Sequence, residues 1–98
     1  MALPSVPLAT GTALVAGTEV PIRALSRAEA LRMARIAAAD GDAEAFVIAR
    51  STGVTDAEAA AWLDATDNAV AQGFVREILQ VSGLVDRDSP NPETPSES

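Results

Sequence analysis

The side chains that could do chemistry in this 98-residue chain are 14 carboxylates and seven arginines. Histidine, cysteine, lysine and tyrosine are absent. The usual general bases, thiol nucleophiles and soft metal ligands are therefore missing before any geometry is considered. This composition predicts a protein that binds rather than catalyses, with no catalytic residues, no cofactor and no resident metal.

The densest group of carboxylates is Asp40, Asp42 and Glu44, whose alternate spacing superficially resembles an oxygen-ligand loop for calcium. A calcium loop of that kind needs about 12 residues, with a glycine at the sixth position and a closing glutamate. The sequence around these residues has no such loop. A solvated turn, in which Asp42 caps the next helix, is the favoured interpretation.

Three arginines, Arg27, Arg32 and Arg35, fall within an arc of about 140° on one predicted helix. They give a basic face to a chain whose net charge is -7. The face could be solvated, could pair with the carboxylate group just described, or could contact an acidic partner. A solvated or self-paired face is favoured, and the partner contact is the alternative that assigns the arginines a function.

The net charge of -7 repels the phosphates of nucleic acid and the headgroups of anionic lipid. Neither nucleic acid nor a membrane surface is therefore an expected partner. No apolar run approaches the roughly 18 residues of a membrane span, and the first residues lack the positive cluster of a signal peptide. The sequence favours a cytoplasmic protein.

The N-terminal quarter of the chain predicts an arm followed by a hairpin. Residues 1–12 carry two prolines and no charged side chain, which is typical of a flexible arm. Residues 13–25 predict a β-hairpin or an extended arm, with the turn at Gly17 and Thr18. Pro21 cannot donate to a strand ladder, so its strand must be an edge strand. Because an isolated hairpin is marginal in water, it must pack on the helices or on another chain.

Capping signals define four helices between residues 26 and 85. Ser26 with Glu29, and Thr55 with Glu58, form two capping boxes. The expected helices cover about 26–39, 42–51, 55–65 and 68–82, and Gly41, Gly53 and Gly83 end the first, second and fourth of them.

The predicted fold is mainly α, a small bundle of about four helices preceded by the hairpin or extended arm. Residues 86–98 are rich in proline, serine and acids and contain no large apolar residue. Such a segment cannot offset the entropy of ordering, so a disordered acidic tail is expected. A domain this small buries little surface, and binding to a partner or to itself would stabilise it.

The last helix has the clearest amphipathic pattern in the chain, with its apolar residues on one half of the helical wheel. The only tryptophan, Trp62, precedes it on the third helix. Tryptophan is frequent at binding hot spots, but its apolar neighbours favour core packing here. The residues that we assign to the core first and to a partner interface second are Trp62, Val70, Phe74, Ile78 and Val81.

An alternative interpretation of the helices around Gly53 is a helix-turn-helix. Ala49 precedes this glycine by four residues, and Ala59 and Leu63 follow it by six and ten. The helix that would enter the DNA groove carries three carboxylates and no arginine. Because groove-reading helices approach phosphates and offer basic or amide side chains to bases, a DNA-binding regulator ranks second.

The run from Glu19 to Glu29, the dipeptide Trp62-Leu63 and the ending Ile78 to Leu84 resemble the small tail assembly chaperones of long-tailed bacteriophages. The resemblance implies a helical, acidic, non-enzymatic protein. Members of that family hold the tape measure protein soluble while tail tube subunits polymerise around it. The resemblance also implies a location in the cytoplasm of the bacterial host and absence from mature virions.

The favoured function is therefore tail assembly chaperone, with the tape measure protein and the tail tube protein as partners. The basic face of Arg27, Arg32 and Arg35 and the apolar stripe with Trp62 are its candidate contact sites. A third alternative is a structural virion protein of the head–tail joint. Such a component would remain in finished particles, whereas a chaperone would not.

Overall fold

In the computed structural model, which describes residues 3–85, four helices follow a two-stranded antiparallel hairpin. This is the mainly α architecture with an N-terminal hairpin that the sequence predicts. The predicted acidic tail, residues 86–98, lies outside the described residues. The elements are β1 (Thr10–Val15), β2 (Thr18–Arg23), α1 (Arg27–Ala38), α2 (Ala43–Thr52), α3 (Asp56–Ala65) and α4 (Asn68–Val81).

The hairpin differs from the prediction in two places. β1 begins at Thr10, so its first half lies within the stretch predicted to be a flexible arm. The turn is formed by Ala16 and Gly17 rather than by Gly17 and Thr18, because Val15 pairs with Thr18. Both turn residues have positive φ, 50° at the alanine and 85° at the glycine, as a two-residue type I′ turn requires.

α1 begins as predicted and ends differently. The Ser26 hydroxyl accepts a hydrogen bond from the Glu29 N–H (3.1 Å), and the Glu29 carboxylate accepts one from the Ser26 N–H (2.9 Å). At the other end Asp40, not Gly41, takes the left-handed conformation, with φ 59°. Glycine is favoured at position 41 for a different reason: a side chain there would be too close to Ile36, since a Cβ would lie 2.7 Å from the Ile36 Cγ2.

The other three helices begin and end within one or two residues of the predicted positions. Thr55 opens α3 with the second capping box. Gly53 and Gly83 are left-handed, as expected of residues that end a helix. The N–H of Leu84 donates to the Leu79 carbonyl (2.9 Å), which closes a Schellman motif after α4.

The apolar core lies between the hairpin, α2 and α4. Phe46, Val47 and Ile48 follow one another along α2 and are all buried, so this helix is covered on more than one side. The two largest fully buried side chains are Val47 and Ile78. α1 has no buried residue, so apolar packing holds it less firmly than the other helices.

Two serine hydroxyls attach the end of the hairpin to the helices. Ser51, the one buried polar residue of the described chain, donates to the Arg23 carbonyl (2.7 Å) and accepts from the Arg23 N–H (3.1 Å). Ser82, just after α4, accepts from the Leu25 N–H (2.8 Å). Arg23 is the last residue of the strand ladder, opposite Thr10, and Leu25 lies beyond it. Without the hydroxyls these main-chain groups would be desolvated and unpaired.

Replacing Ser51 by alanine removes both hydrogen bonds to Arg23 at once. We expect the free energy of unfolding to fall by about 1–3 kcal/mol, the cost of partly buried main-chain groups left without a partner. Urea denaturation followed by Trp62 fluorescence measures the change. Thr52→Val is the matched control, because the Thr52 hydroxyl donates only to the Ile48 carbonyl of its own helix (2.7 Å). Equal destabilisation in the two variants would contradict a special role for Ser51.

Candidate functional site

The residues predicted to bind a partner fall into two groups that lie on different helices. α4 packs on the hairpin and α2, and α1 packs on α2. Phe74 and Ile78 of α4 are 6% and 0% exposed, so they belong to the core. Val70 and Val81 are half-buried at the edges of the same stripe. The stripe therefore offers a partner only its margins.

Trp62 is half-buried and stands at the side of an open cleft. Its ring meets the Phe74 ring edge to face, with the centroids 5.5 Å apart and the planes at 71°. The cleft has a volume of about 300 Å³ and is bounded by the hairpin, α2, α3 and α4. The residues that line this apolar cleft are Val15, Val20, Ile48, Val54, Ala59, Trp62 and Phe74, with Thr52 and Glu58 as the polar members.

The sequence-based prediction did not find this cleft, since it identified only Trp62 and Phe74 among its lining residues. Val15 and Val20 reach it from the two strands next to the hairpin turn. The marginal stability of an isolated hairpin indicated that it packs against the helices or another chain, but not against which helices. Val54 lies in the loop between α2 and α3, where no helical or strand spacing could have identified it.

The side of α1 that faces away from α2 is a mixed basic and apolar surface. Leu31 is 47% exposed and lies one turn from Arg27 on one side and from Arg35 on the other. Ala34 and Ala38 are exposed within the same arc of about 100°. We call these residues, Arg27, Leu31, Ala34, Arg35 and Ala38, the α1 outer face. The prediction omitted Leu31, although its spacing from the two arginines could have revealed it.

The structure separates the three arginines of α1. The Arg32 guanidinium carbon lies 6.0 Å from the centroid of the Phe46 ring, at the limit of a cation–π contact. All three arginines are exposed, but among residues 3–85 neither Arg27 nor Arg35 lies over an aromatic ring. Within residues 3–85 none of the three arginines forms an ion pair, so the face is solvated, one of the two favoured alternatives, and is not paired with the carboxylates at 40–44. Two solvated cations thus flank Leu31.

The carboxylates at the junction of α1 and α2 have structural roles. Asp42 accepts the Ala45 N–H (3.1 Å) as the N-cap of α2. Glu44 accepts a hydrogen bond from the Gln72 amide (2.6 Å). Asp40 supplies the left-handed residue that ends α1. Among residues 3–85 no three histidine, cysteine, aspartate or glutamate side chains are grouped so as to hold a metal ion.

The one acidic residue of α1 is already paired. The Arg23 guanidinium donates to both oxygens of Glu29, each at 2.8 Å. These hydrogen bonds are the largest cause that lowers the pKa of Glu29 to about 2, against the opposing effect of its partial burial. The same pair raises the pKa of Arg23. Glu29 therefore does not offset the charges of the α1 outer face.

The surface of α3 is acidic. Asp56, Glu58 and Asp64 are all exposed. The Thr55 N–H donates to Glu58 and lowers the pKa of that carboxyl, which keeps it ionised. Arg50 of α2 forms an exposed ion pair with Asp56 (3.0 Å) across the turn. A helix with this surface repels a phosphate backbone, which weighs against the helix-turn-helix alternative.

Comparisons with protein-family models, with curated proteins and with solved structures found no match for the chain. No helix among residues 3–85 combines the length and the apolar character needed to cross a membrane.

Glu29 should make stability depend on pH below about 5. Its folded pKa of about 2 lies below the ordinary value of 4.5, so its stabilising effect is complete above that value and is lost as the pH falls towards 2. Because the side chain is 21% exposed, we expect the loss to reach only about 1–2 kcal/mol. Chemical denaturation at about pH 6 and about pH 3 measures it.

Glu29→Gln keeps the capping box and removes the titrating group, so its stability should vary less between these pH values. Arg23→Gln should flatten the profile as well, because the guanidinium is the main cause of the lowered pKa. A wild-type pH profile in both variants would show that the Arg23–Glu29 pair contributes nothing to acid sensitivity.

Proposed function

We propose that the protein is a non-enzymatic tail assembly chaperone of a long-tailed bacteriophage. In this role it binds the tape measure protein and helps tail tube subunits assemble around it. The observation that carries the proposal is the α1 outer face, where an exposed leucine lies between two solvated arginines. The resemblance of the sequence between residues 19 and 84 to such chaperones supplies the identity of the partner.

The chemistry of this face favours a helical partner with acidic residues beside an apolar stripe. Helices that pair side by side place their contacts at intervals of three and four residues, which is the spacing of the α1 outer face. Ala34 and Ala38 are small, so the axis of a second helix could approach to the lower end of the usual 8–10 Å separation. Leu31 would then be the apolar anchor, and Arg27 and Arg35 would pair with the acids.

The modest size of the face suits a chaperone. A single leucine with two alanines buries little apolar surface, so the association should be reversible when tail tube subunits compete for the partner. Charge would contribute more to partner choice than to affinity. The strongly acidic remainder of the chain, with a net charge of -7 overall, would keep an aggregation-prone partner in solution.

Two alternatives predict different observations. A helix-turn-helix regulator would show salt-sensitive DNA binding, which the exposed carboxylates of α3 disfavour. A structural protein of the head–tail joint would be retained in purified virions. The proposed chaperone would act in the host cytoplasm, would not bind DNA and would be absent from the finished particle.

Co-expression with the tape measure protein tests the proposal. We expect the wild-type chain to keep that protein in the soluble fraction and to co-elute with it on size exclusion chromatography. Reversing one charge by Arg27→Glu should weaken the complex at least tenfold, because a favourable contact becomes a repulsive one. An acid at the first turn also suits the helix dipole, so α1 should remain folded.

Arg76→Glu is the matched control, since Arg76 is exposed on α4 and the substitution changes the net charge equally. It should leave co-elution unchanged. Failure of the wild-type chain to bind, or equal weakening by the two charge reversals, would contradict the proposed role of the α1 outer face.

A further inference from the structure

The N-terminal arm, residues 3–9, exposes two apolar side chains almost fully and a third in part. Leu3 is 86% exposed and Val6 is 79% exposed, while Leu8 is 41% exposed. The arm contains no charged side chain. A hydrogen bond from the Ala24 N–H to the Ala9 carbonyl (2.7 Å) ties its last residue to the segment after β2. An uncharged apolar segment in water is typical of a surface that binds something.

The apolar cleft beside Trp62 is the complementary feature. It is open to solvent, and the α1 outer face, to which the proposed function is assigned, takes no part in it. Val54 at its border is 40% exposed, and Trp62 is half-buried. Glu58 is its one charged lining residue, and the Thr55 N–H already binds that carboxylate (2.9 Å). An uncharged segment could therefore bind in the cleft without burying an unpaired charge.

The sequence of the arm suits a cleft with aromatic walls. Pro4 and Pro7 are three residues apart, and proline favours the extended polyproline conformation with three residues per turn. Segments with this spacing dock in aromatic-lined grooves, because they are already extended and lose little entropy on binding. Trp62 and Phe74 provide such walls. Val6 would enter between the two prolines.

The geometry favours the cleft of another molecule over the arm's own. The arm leaves the hairpin at its open end, where Ala9 is hydrogen-bonded to Ala24. The cleft is bordered by Val15 and Val20, next to the turn at the other end. The length of β1, about 17 Å, separates the two ends. To reach its own cleft, an arm without glycine would have to reverse beside Ala9 and run back along the strand.

We propose that the N-terminal arm of one copy docks in the apolar cleft of a second copy, and that the exchange is reciprocal. Such an exchange gives a closed two-fold dimer from a single kind of contact. Two seven-residue arms form a small interface compared with the roughly 1,200–2,000 Å² of stable complexes. Association should accordingly be in the micromolar range, with monomer and dimer in equilibrium.

Sedimentation velocity of the full chain over a range of concentrations tests the proposal. We expect a concentration-dependent dimer, together with a blue shift of Trp62 emission as the cleft loses water. Val6→Asp changes a side chain that is 79% exposed, so the fold should survive and dimerisation should weaken at least tenfold. Val54→Asp at the border of the cleft should weaken it to a similar degree.

Mixing the two variants gives a sharper result. The intact arm of Val54→Asp can enter the intact cleft of Val6→Asp, so the mixture should form more dimer than either variant alone. Leu31→Asp is the control, because Leu31 is also exposed but lies on the α1 outer face. It should dimerise normally even where it fails to bind the tape measure protein, which separates this proposal from the proposed function.

Three results would overturn the inference. A monomer at all concentrations would exclude the second copy. A dimer that Val6→Asp leaves unchanged would exclude the arm as its contact. A change in Trp62 emission caused by Val6→Asp in a purely monomeric protein would place the arm in its own cleft.

Discussion

The arrangement of the domain depends on the hydrogen bonds of the buried Ser51 hydroxyl. It satisfies both main-chain groups of Arg23, the residue at which β2 ends. Held there, the Arg23 guanidinium reaches Glu29, and that carboxylate also caps the N-terminus of α1 through Ser26. A single series of polar contacts thus runs from the core helix α2, through the hairpin, to the start of the outermost helix.

This series explains how α1 can be ordered without burying a residue. A helix that rests on its neighbour through half-buried side chains gains little from the hydrophobic effect, since that effect scales with the apolar area removed from water. Polar contacts at its first turn fix its direction instead. α1 is therefore incompletely buried, and its outer face presents Leu31 between Arg27 and Arg35.

Local signals account for most of what the sequence predicts correctly. Capping boxes at Ser26 and Thr55 and the Schellman glycine Gly83 depend on residues within one turn, so they can be recognised without the fold. The left-handed residue after α1 was misassigned because Asp40 takes it and Gly41 serves a packing need beside Ile36. That need is visible only once the helix end has been built.

The parts that could not be predicted depend on distant segments. Ser51 and Ser82 are ordinary helix-end residues in the sequence, and only the fold shows that they meet Arg23 and Leu25. The apolar cleft forms where the hairpin faces α3, and no periodicity of a single element encodes it. The basic face of α1 was foreseen from helical spacing, but whether its arginines were paired required the positions of the carboxylates around them.

In the proposed function α1 is an exposed helix held for a partner, and hydrogen–deuterium exchange of the free chain and of its complex with the tape measure protein tests this role. We expect rapid exchange of the amides of residues 27–38 in the free protein and marked protection of the same residues in the complex, with little change in α2 and α4. Protection confined to α4 or to the lining of the apolar cleft, with unchanged exchange in α1, would contradict it.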